Sequence, residues 1–429
     1  MINFLKAETS PISPWSRSAI VFACVTLALA ACQPSTDQEK SKLINHRSVT
    51  AQDAQASSSG LSELALLGKK LFFDPALSGS GKMSCATCHD PANAYGPPNN
   101  LAVQLGGADL KTQGLRAVPS LRYVLNRTPF WSKQFVSNPV ERLIETDSPP
   151  VGGLTWDGRF NTLHEQASAP LLAANEMANE SPNSVISKVA KSAYATDFAH
   201  AFGQNVWQDP ARAFNGLLLA IERFELEDAS FHPYTSKFDQ TLKGQATLSA
   251  SELKGLQLFS APDKGNCASC HLAVSGADHS APLFTDFSFS ALGAPRNPQI
   301  IANRNRQFYD LGLCGPSRID QQKKHEYCGM FKTPGLRNVA NRRVFMHNGV
   351  FNDLESVVRF YVERDTKPEK WYPKNSDGSV NKFNDLPVNL RSNVDTLDVP
   401  LNRKKSDSPA LSDEEIKDVV AFLKTLSDQ

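Results

Sequence analysis

The chain has 429 residues, of which 41% are hydrophobic and 21% charged, so it is long enough for two or three ordinary domains. This composition excludes a disordered or collagen-like chain. The 45 basic and 44 acidic residues give a formal net charge of +1, which offers no electrostatic reason to expect nucleic acid as a partner.

Residues 1–31 have the pattern of an export signal. Lys6 and Arg17 precede the apolar run 19–29, which is too short to span a bilayer comfortably. The run leads into Leu-Ala-Ala-Cys, which resembles a bacterial lipobox and implies cleavage before Cys32 and lipidation of its thiol. The alternative is an ordinary signal peptide cut after an Ala-x-Ala-like site, which leaves a soluble protein.

The next segment, residues 32–60, is polar and lacks apolar periodicity, so we predict a flexible tether. Gln33 follows Cys32, and in Gram-negative lipoproteins a residue other than Asp at this position is associated with the outer membrane. No later stretch is apolar enough to span a bilayer, so we expect the remainder to be periplasmic.

The pentapeptide Cys85-Ala-Thr-Cys88-His89 has the C-x-x-C-H pattern of haem c attachment. Two thiols three residues apart lie on one side of a helical turn, where each can form a thioether with a porphyrin vinyl group, and the His can ligate the iron. A redox C-x-x-C needs no following His, and half of a zinc site needs further Cys or His nearby, which the sequence lacks. The pattern therefore predicts a covalent haem c.

The same pattern returns as Cys267-Ala-Ser-Cys270-His271, about 180 residues later. It predicts a second covalent haem c, held by Cys267 and Cys270 with His271 on the iron. An apolar helical stretch precedes each copy, at residues 61–73 with Leu64, Leu67 and Leu71, and again at 253–259. This order indicates an internal duplication.

Each half is predicted to close with an amphipathic helix. In the first half, Asp209 and Pro210 supply a cap and an N1 proline before an apolar stripe of Phe214, Leu217, Leu218, Ile221 and Phe224. In the second half, Ser412 and Glu415 form a capping box before the stripe Ile416, Val419, Val420 and Leu423. These helices are core-forming whatever the function is.

Strand-like alternation is scarce, so we predict a mainly α fold with two cytochrome c-like haem domains in tandem and few strands. The predicted domains are 61–245 and 246–429, joined near residues 240–246. Two cysteines, Cys314 and Cys328, have no other predicted role. In an oxidising compartment we expect them to form a disulfide.

Two haem motifs at this separation, together with Thr-Trp-Asp-Gly-Arg at 155–159 and the stretch 165–177, resemble the bacterial dihaem cytochrome c peroxidase and MauG family. The resemblance covers roughly residues 61–429. It implies that Trp156 lies between the haems and relays electrons. It also implies that Pro170 and Glu176 border the peroxide-binding face of the first haem.

The chemistry of these side chains is compatible with the implied roles. A carboxylate near a dry haem can take a proton from the nearer peroxide oxygen and return it to the leaving one. An indole is rigid and oxidisable, which suits an electron relay. Without the resemblance, Trp156 would be interpreted as a core aromatic and Glu176 as a solvated helix charge.

A second stretch resembling the family comprises residues 331–339 and 345–349, and a helix from about Asp353 follows it. Tyr361 lies on the apolar stripe of that helix. The resemblance implies that Tyr361 is the distal ligand of the His271 haem, where many dihaem peroxidases have Met and MauG-like members have Tyr. A phenolate stabilises oxidised iron, whereas Met raises the potential. Core packing is the alternative for Tyr361, and Met346 and Met330 are the competing ligands.

The chain also departs from the family pattern. No His occurs between His89 and Trp156, so the distal His that blocks the first haem in many peroxidases is missing. We expect that haem to be five-coordinate or water-bound. Ala117, Arg342 and Val344 stand where the family binds calcium through an Asn side chain and two carbonyls. The missing Asn argues against calcium, and our hypothesis is that Arg342 supplies a positive charge instead.

The resemblance implies an enzyme that reacts with hydrogen peroxide. Its electrons would come from a small redox protein such as cytochrome c or a cupredoxin, or from aromatic side chains of a protein substrate. The alternative from another class is a plain dihaem electron carrier without substrate chemistry. Family members are often dimers, so a homodimer is compatible, although the sequence contains no specific interface.

Overall fold

The computed structural model describes residues 60–123, 127–133, 149–276 and 280–429. Within these ranges the chain is mainly helical, with two small two-stranded antiparallel sheets, which confirms the predicted fold class. The predicted export signal, Cys32 and almost all of the tether lie outside the described residues. None of the helices in the described ranges is both long enough and apolar enough to cross a bilayer.

The described α-helices are, in chain order, α1 Glu63–Phe73, α2 Cys85–Cys88, α3 Leu163–Leu172, α4 Pro182–Val189, α5 Ala195–Phe202, α6 Pro210–Glu227, α7 Lys237–Leu242, α8 Ala250–Ser260, α9 Leu354–Glu363 and α10 Asp413–Lys424. The strands pair as β1 Leu105–Gly106 with β2 Thr112–Gln113, and β3 Phe289–Ser290 with β4 Phe331–Lys332.

In the first half, α1 crosses α6 at very short range. A Cβ atom on Gly68 would lie 1.8 Å from the Ala220 carbonyl oxygen, so only glycine permits this approach. One turn further along each helix, Phe72 and Phe224 meet edge to face with ring centroids 5.5 Å apart. The caps of α6 at Asp209 and Pro210 are as predicted, and its apolar stripe is buried.

The second half repeats this crossing between α8 and α10. A Cβ atom on Gly255 would lie 1.9 Å from the Asp418 carbonyl oxygen, and one turn further Phe259 meets Phe422 at 5.3 Å. The capping box that begins α10 is present, as predicted. A repeated glycine, a repeated aromatic pair and the same helix order support the duplication inferred from the sequence.

Two clusters of buried apolar residues follow the two halves. The first draws on residues between Leu67 and Phe231, and the second on residues between Phe238 and Leu426. Burying each large side chain in such a cluster contributes about 1.5–3 kcal/mol. The boundary near residues 240–246 stays a prediction.

The predicted disulfide is confirmed. Cys314 and Cys328 are bonded, with their Cα atoms 4.9 Å apart, and both residues are buried. The other four cysteines in the described ranges are free, and they are those of the two pentapeptides.

Candidate haem-binding site

One cavity of about 620 Å³ is lined by residues from both halves of the chain. Both pentapeptides contribute all of their Cys and His residues to this lining. We call the part formed by Cys85, Cys88 and His89 the His89 side, and the part formed by the second pentapeptide the His271 side. The other predicted site residues also line the cavity, namely Trp156, Pro170, Glu176 and Tyr361.

The first pentapeptide forms the short helix α2, which Ser84 and Thr87 start with a capping box. This turn places Cys85 and Cys88 three residues apart on the same face. Nδ1 of His89 lies 3.1 Å from the Tyr95 carbonyl oxygen. If Nδ1–H donates to that carbonyl, Nε2 retains the lone pair that a metal requires. Burial lowers the pKa of His89 to about 4, so its imidazole is neutral at pH 7.

The second pentapeptide has the same arrangement of two thiols and an oriented imidazole, but its turn is tighter. Residues Cys267–Ser269 form a 3₁₀-helix, and the His271 backbone N–H donates to the Cys267 carbonyl at 2.8 Å. Nδ1 of His271 lies 2.9 Å from the Phe284 carbonyl oxygen, and burial lowers the pKa of His271. Its Nε2 is therefore also left for a metal.

These donor sets fit haem c. Each side of the cavity supplies two free thiols one turn apart and one neutral imidazole oriented by a backbone carbonyl. Burial raises the pKa of Cys85 and Cys267 to about 12, which keeps both thiols neutral before attachment. Among the described residues, no group of three or more His, Cys, Asp or Glu side chains could hold a metal ion, so the ligands for a zinc site are not assembled there.

Glu176 is placed on the His89 side by a turn after α3. Pro170 lies inside α3, and its carbonyl accepts from the Met177 backbone N–H at 3.0 Å. The Glu176 backbone is fixed at both ends, because its N–H donates to Ala173 at 2.9 Å and its carbonyl accepts from Gly107 at 2.8 Å. The turn therefore holds the Glu176 side chain at the cavity wall.

The electrostatics of Glu176 suit a group that exchanges protons. Desolvation by the surrounding protein raises its pKa, and the Arg159 guanidinium acts in the opposite direction. Burial is the largest cause of the raised pKa of Cys88, and the Glu176 charge is the second. The carboxylate therefore lies on the His89 side. No described residue hydrogen-bonds to the Glu176 carboxylate, although the side chain is exposed where the cavity opens.

Trp156 lies where the two halves meet. Its indole Nε1–H donates to the Ala117 carbonyl at 2.8 Å, and the Lys332 backbone N–H donates to the Trp156 carbonyl at 2.9 Å. The Ala117 backbone N–H in turn donates to the His347 carbonyl at 2.7 Å. The indole is thus held by the Ala117 carbonyl of the first half, while the Trp156 backbone and the Ala117 backbone are each bonded to the second half.

A buried ion network fixes the segment that carries Trp156. Arg116 bonds Asp157 at 2.7 Å and Asp310 at 2.6 Å, and Arg159 also bonds Asp157 at 2.9 Å. Although burial acts to raise the pKa of Asp157, the two arginines hold it below its usual value. Breaking a buried pair of this kind costs about 3–5 kcal/mol. The network therefore anchors the residue next to Trp156 across both halves.

Tyr361 lies on the His271 side, on α9, which begins after the Asp353 cap as predicted. Burial raises the pKa of its phenol, and Cys270 and Cys267 raise it further, so the ring faces these two cysteines. Of the competing methionines, Met346 lines the cavity and Met330 does not. The structure therefore leaves Tyr361 and Met346 as candidate ligands and disfavours Met330.

Three histidines of the described ranges line the cavity: His89, His271 and His347. His347 stacks on Phe331 with centroids 3.5 Å apart, and its Nε2 lies 3.3 Å from an Asp385 carboxylate oxygen. The sequence between His89 and Trp156 contains no His. That the His89 haem is five-coordinate or water-bound stays a prediction.

Arg342 occupies the predicted calcium position. Its guanidinium donates to the Val118 carbonyl at 3.0 Å and to the Val344 carbonyl at 3.3 Å. Burial lowers the pKa of Arg342 to about 10, so it is still charged at pH 7. The cation thus connects carbonyls from both halves, beside the methyl side chain of Ala117.

We expect the purified protein to contain iron but substoichiometric calcium, because the Asn side chain is missing and the Arg342 guanidinium already binds the Val344 carbonyl, one of the two carbonyls that a calcium ion would use. Metal analysis by plasma mass spectrometry, before and after treatment with a chelator, measures this. Stoichiometric calcium whose removal changes the haem absorption spectrum would contradict the hypothesis.

Two cavity residues had no role in the sequence prediction. Lys332 lies beside Trp156, and burial lowers its pKa to about 8, with Asp157 opposing the shift. Glu225 interrupts the apolar stripe of α6, one turn after Ile221, and this lone acid on an apolar face was the available signal.

Comparisons with known proteins agree with this geometry. The family described as di-haem cytochrome c peroxidase matches residues 62–247. The methylamine utilization protein MauG of Paracoccus denitrificans is 31% identical over 387 residues, which cover 89% of this chain and 92% of that protein. The cytochrome c551 peroxidase of Nitrosomonas europaea is 28% identical over 300 residues, covering 69% of this chain and 72% of the relative.

A solved structure is also similar. The crystal structure of the diheme peroxidase BthA from Burkholderia thailandensis superposes with a TM-score of 0.75 and 38% identity, covering 85% of this chain and 86% of that one. That protein is a diheme peroxidase, which agrees with the two repeated haem-type donor sets in the cavity of this chain.

Proposed function

The chain belongs to the dihaem cytochrome c peroxidase and MauG family, and on this premise we propose that it is a periplasmic peroxidase that reduces hydrogen peroxide with electrons from a small redox protein such as cytochrome c. The observation that carries the proposal is the presence, in one cavity, of two haem-type donor sets and of the Glu176 carboxyl, whose pKa is raised and which acts on Cys88 of the first set.

The two pentapeptides hold the cofactors in this proposal. Cys85 and Cys88 would attach one haem c and Cys267 and Cys270 the other, and His89 and His271 would each offer an imidazole nitrogen to the iron. When bound, haem c supplies iron that can bind peroxide and exchange single electrons. The carbonyls of Tyr95 and Phe284 orient the imidazoles.

Glu176 moves the proton. Its carboxylate takes a proton from the nearer peroxide oxygen and returns it to the leaving oxygen, while Pro170 shapes the wall beside it. A raised pKa brings the carboxyl closer to the working pH, where both accepting and donating a proton are favourable. The nearby Arg159 charge opposes this rise in the pKa of Glu176.

Trp156 carries electrons between the two sides. Its indole donates to the Ala117 carbonyl of the first half and its backbone carbonyl accepts from Lys332 of the second, so it offers a fixed oxidisable group at the point where the halves meet. The proposed direction is from the donor through the His271 side to the His89 side.

A second candidate function is a MauG-like oxidase that removes electrons from aromatic residues of a partner protein. Tyr361 facing Cys267 and Cys270 favours it, because a hard phenolate ligand stabilises oxidised iron. The third candidate function, a non-catalytic dihaem electron carrier, is disfavoured because electron transfer alone requires neither Glu176 nor Pro170 at the cavity wall.

A steady-state assay tests the proposed function. Reduced small cytochrome c is mixed with the purified dihaem protein and peroxide, and its oxidation is followed optically. We expect two electrons to be consumed per peroxide. Rapid peroxide consumption without cytochrome or cupredoxin oxidation would favour the MauG-like alternative, and no peroxide reaction would favour the carrier.

Tyr361→Met is expected to raise the potential of the His271 haem. The shift should be on the order of 100 mV, since axial ligands set haem potentials over about 0.8 V. A redox titration followed by absorbance measures it, with Tyr327→Phe as the control because Tyr327 does not line the cavity. A shift near zero would mean that Tyr361 only packs and would leave Met346 as the candidate ligand.

The proposed location is the periplasm, with a lipid anchor at Cys32 that favours the outer membrane. The partners are hydrogen peroxide and a protein electron donor or protein substrate, with no nucleic acid. Membrane contact is through the lipid alone, and a homodimer is compatible with the proposal.

A further inference from the structure

Glu225 is a buried carboxyl that the proposed chemistry does not use. It lies on α6, its residue is 5% exposed, and it lines the cavity one helical turn after Ile221. No described residue forms a hydrogen bond with this carboxyl, which lines the cavity, whereas the carboxylates of buried residues are normally paired or hydrogen-bonded. An unpartnered acid at a cavity wall therefore calls for a ligand or a proton.

Glu225 faces the His89 side. Burial is the largest cause of the raised pKa of Cys85, and the Glu225 charge is the second. The same charge also raises the pKa of the Tyr95 phenol. Cys85 is the proposed haem attachment point, and the Tyr95 carbonyl orients His89. The carboxyl thus borders the first haem site near Cys85.

The charged groups on neighbouring elements bind elsewhere and do not neutralise Glu225. Lys69 and Lys70 of α1 pair with Asp228 and Asp197, and His164 of α3 pairs with Glu222. Further pairs and bonds are Arg223 with Glu227, Arg122 with Asp428, and Lys188 of α4 with Asn179. Burial and the nearby Glu222 together raise the pKa of Glu225 to about 8.

We propose that Glu225 binds a proton whose uptake and release are coupled to the redox state of the His89 haem. When that iron accepts one electron from the protein donor, the site loses one positive charge, and Glu225 takes one proton from solvent. When the iron gives up the electron, the restored positive charge favours the carboxylate, and the proton returns to solvent. Glu225 thereby adjusts the potential of the haem without touching peroxide.

This inference rests on the haem part of the proposed function but not on peroxide turnover. Spectroelectrochemical titration of the holoprotein at several pH values around 8 tests it. The midpoint potential of one of the two haems should change by about 59 mV per pH unit. For a one-electron reduction this corresponds to a tenfold change in the equilibrium constant. Glu225→Gln should remove this slope, whereas Glu227→Gln should keep it, because Glu227 is on the same helix but is paired with Arg223 and lies outside the cavity lining.

A redox-difference infrared spectrum of the unmodified protein provides a check that does not require a variant. A carboxylic acid C=O band should appear on reduction and disappear on oxidation. A slope that survives Glu225→Gln, or a pH-independent potential in the wild type, would overturn the proposal. A haem count from the pyridine haemochrome distinguishes these results from a failure of haem attachment.

Discussion

Replacing Glu176 with Gln is expected to slow the reaction of the ferric protein with peroxide by about 10²- to 10⁴-fold, the usual contribution of a positioned acid–base group. The amide keeps the size of the side chain but cannot accept the peroxide proton. The Ala173 and Gly107 hydrogen bonds involve only the Glu176 backbone, so the turn should persist. Stopped-flow absorbance at several peroxide concentrations measures the rate.

The pH dependence of the same rate gives a second readout. The wild-type rate should rise as pH increases through the raised pKa of Glu176, because only the deprotonated carboxylate accepts a proton. The Gln variant should lack this rise. Glu180→Gln is the matched control, since Glu180 is four residues further on, exposed and outside the cavity lining. Unchanged kinetics in Glu176→Gln would remove Glu176 from the mechanism.

Replacing Trp156 with Phe is expected to leave peroxide binding intact but to slow electron transfer between the haems. A phenyl ring is harder to oxidise than an indole and cannot donate to the Ala117 carbonyl. An added barrier of about 1.4 kcal/mol already gives a tenfold slower step, and we expect at least that. Rapid-mixing spectra that resolve both haems measure the transfer.

Trp207→Phe is the control for this variant, because Trp207 stacks on Phe198 at 5.2 Å in the first core and does not line the cavity. It should transfer electrons at the wild-type rate. If Trp156→Phe also did so, the path between the haems would run elsewhere, and Lys332 and its neighbours in the cavity wall would be the next residues to vary.

The helices and the haem motifs could be predicted because their signals are local. The stripe of α6, the capping box at Ser412 and the pentapeptides each depend on residues within a few turns of one another. The disulfide was predictable by a different route, since Cys314 and Cys328 were the cysteines left without another role.

The arrangement of the cavity could not be predicted in this way, because it depends on contacts between distant segments. Arg342 meets Val118 across 224 residues, and nothing local to either residue indicates the contact. The position of Glu225 on the apolar face of α6 indicates burial, but which cavity it lines depends on how the helix packs. Met330 is a candidate ligand on sequence grounds, yet in the fold it does not line the cavity.

The central claim is that the two haem sites differ, with the His89 side open to peroxide and the His271 side closed by a protein ligand. The most direct test is the optical and electron paramagnetic resonance spectrum of the resting ferric protein before and after one equivalent of peroxide. We expect one high-spin haem, which peroxide converts rapidly, beside one low-spin haem. Two low-spin haems that peroxide leaves unchanged would contradict the claim.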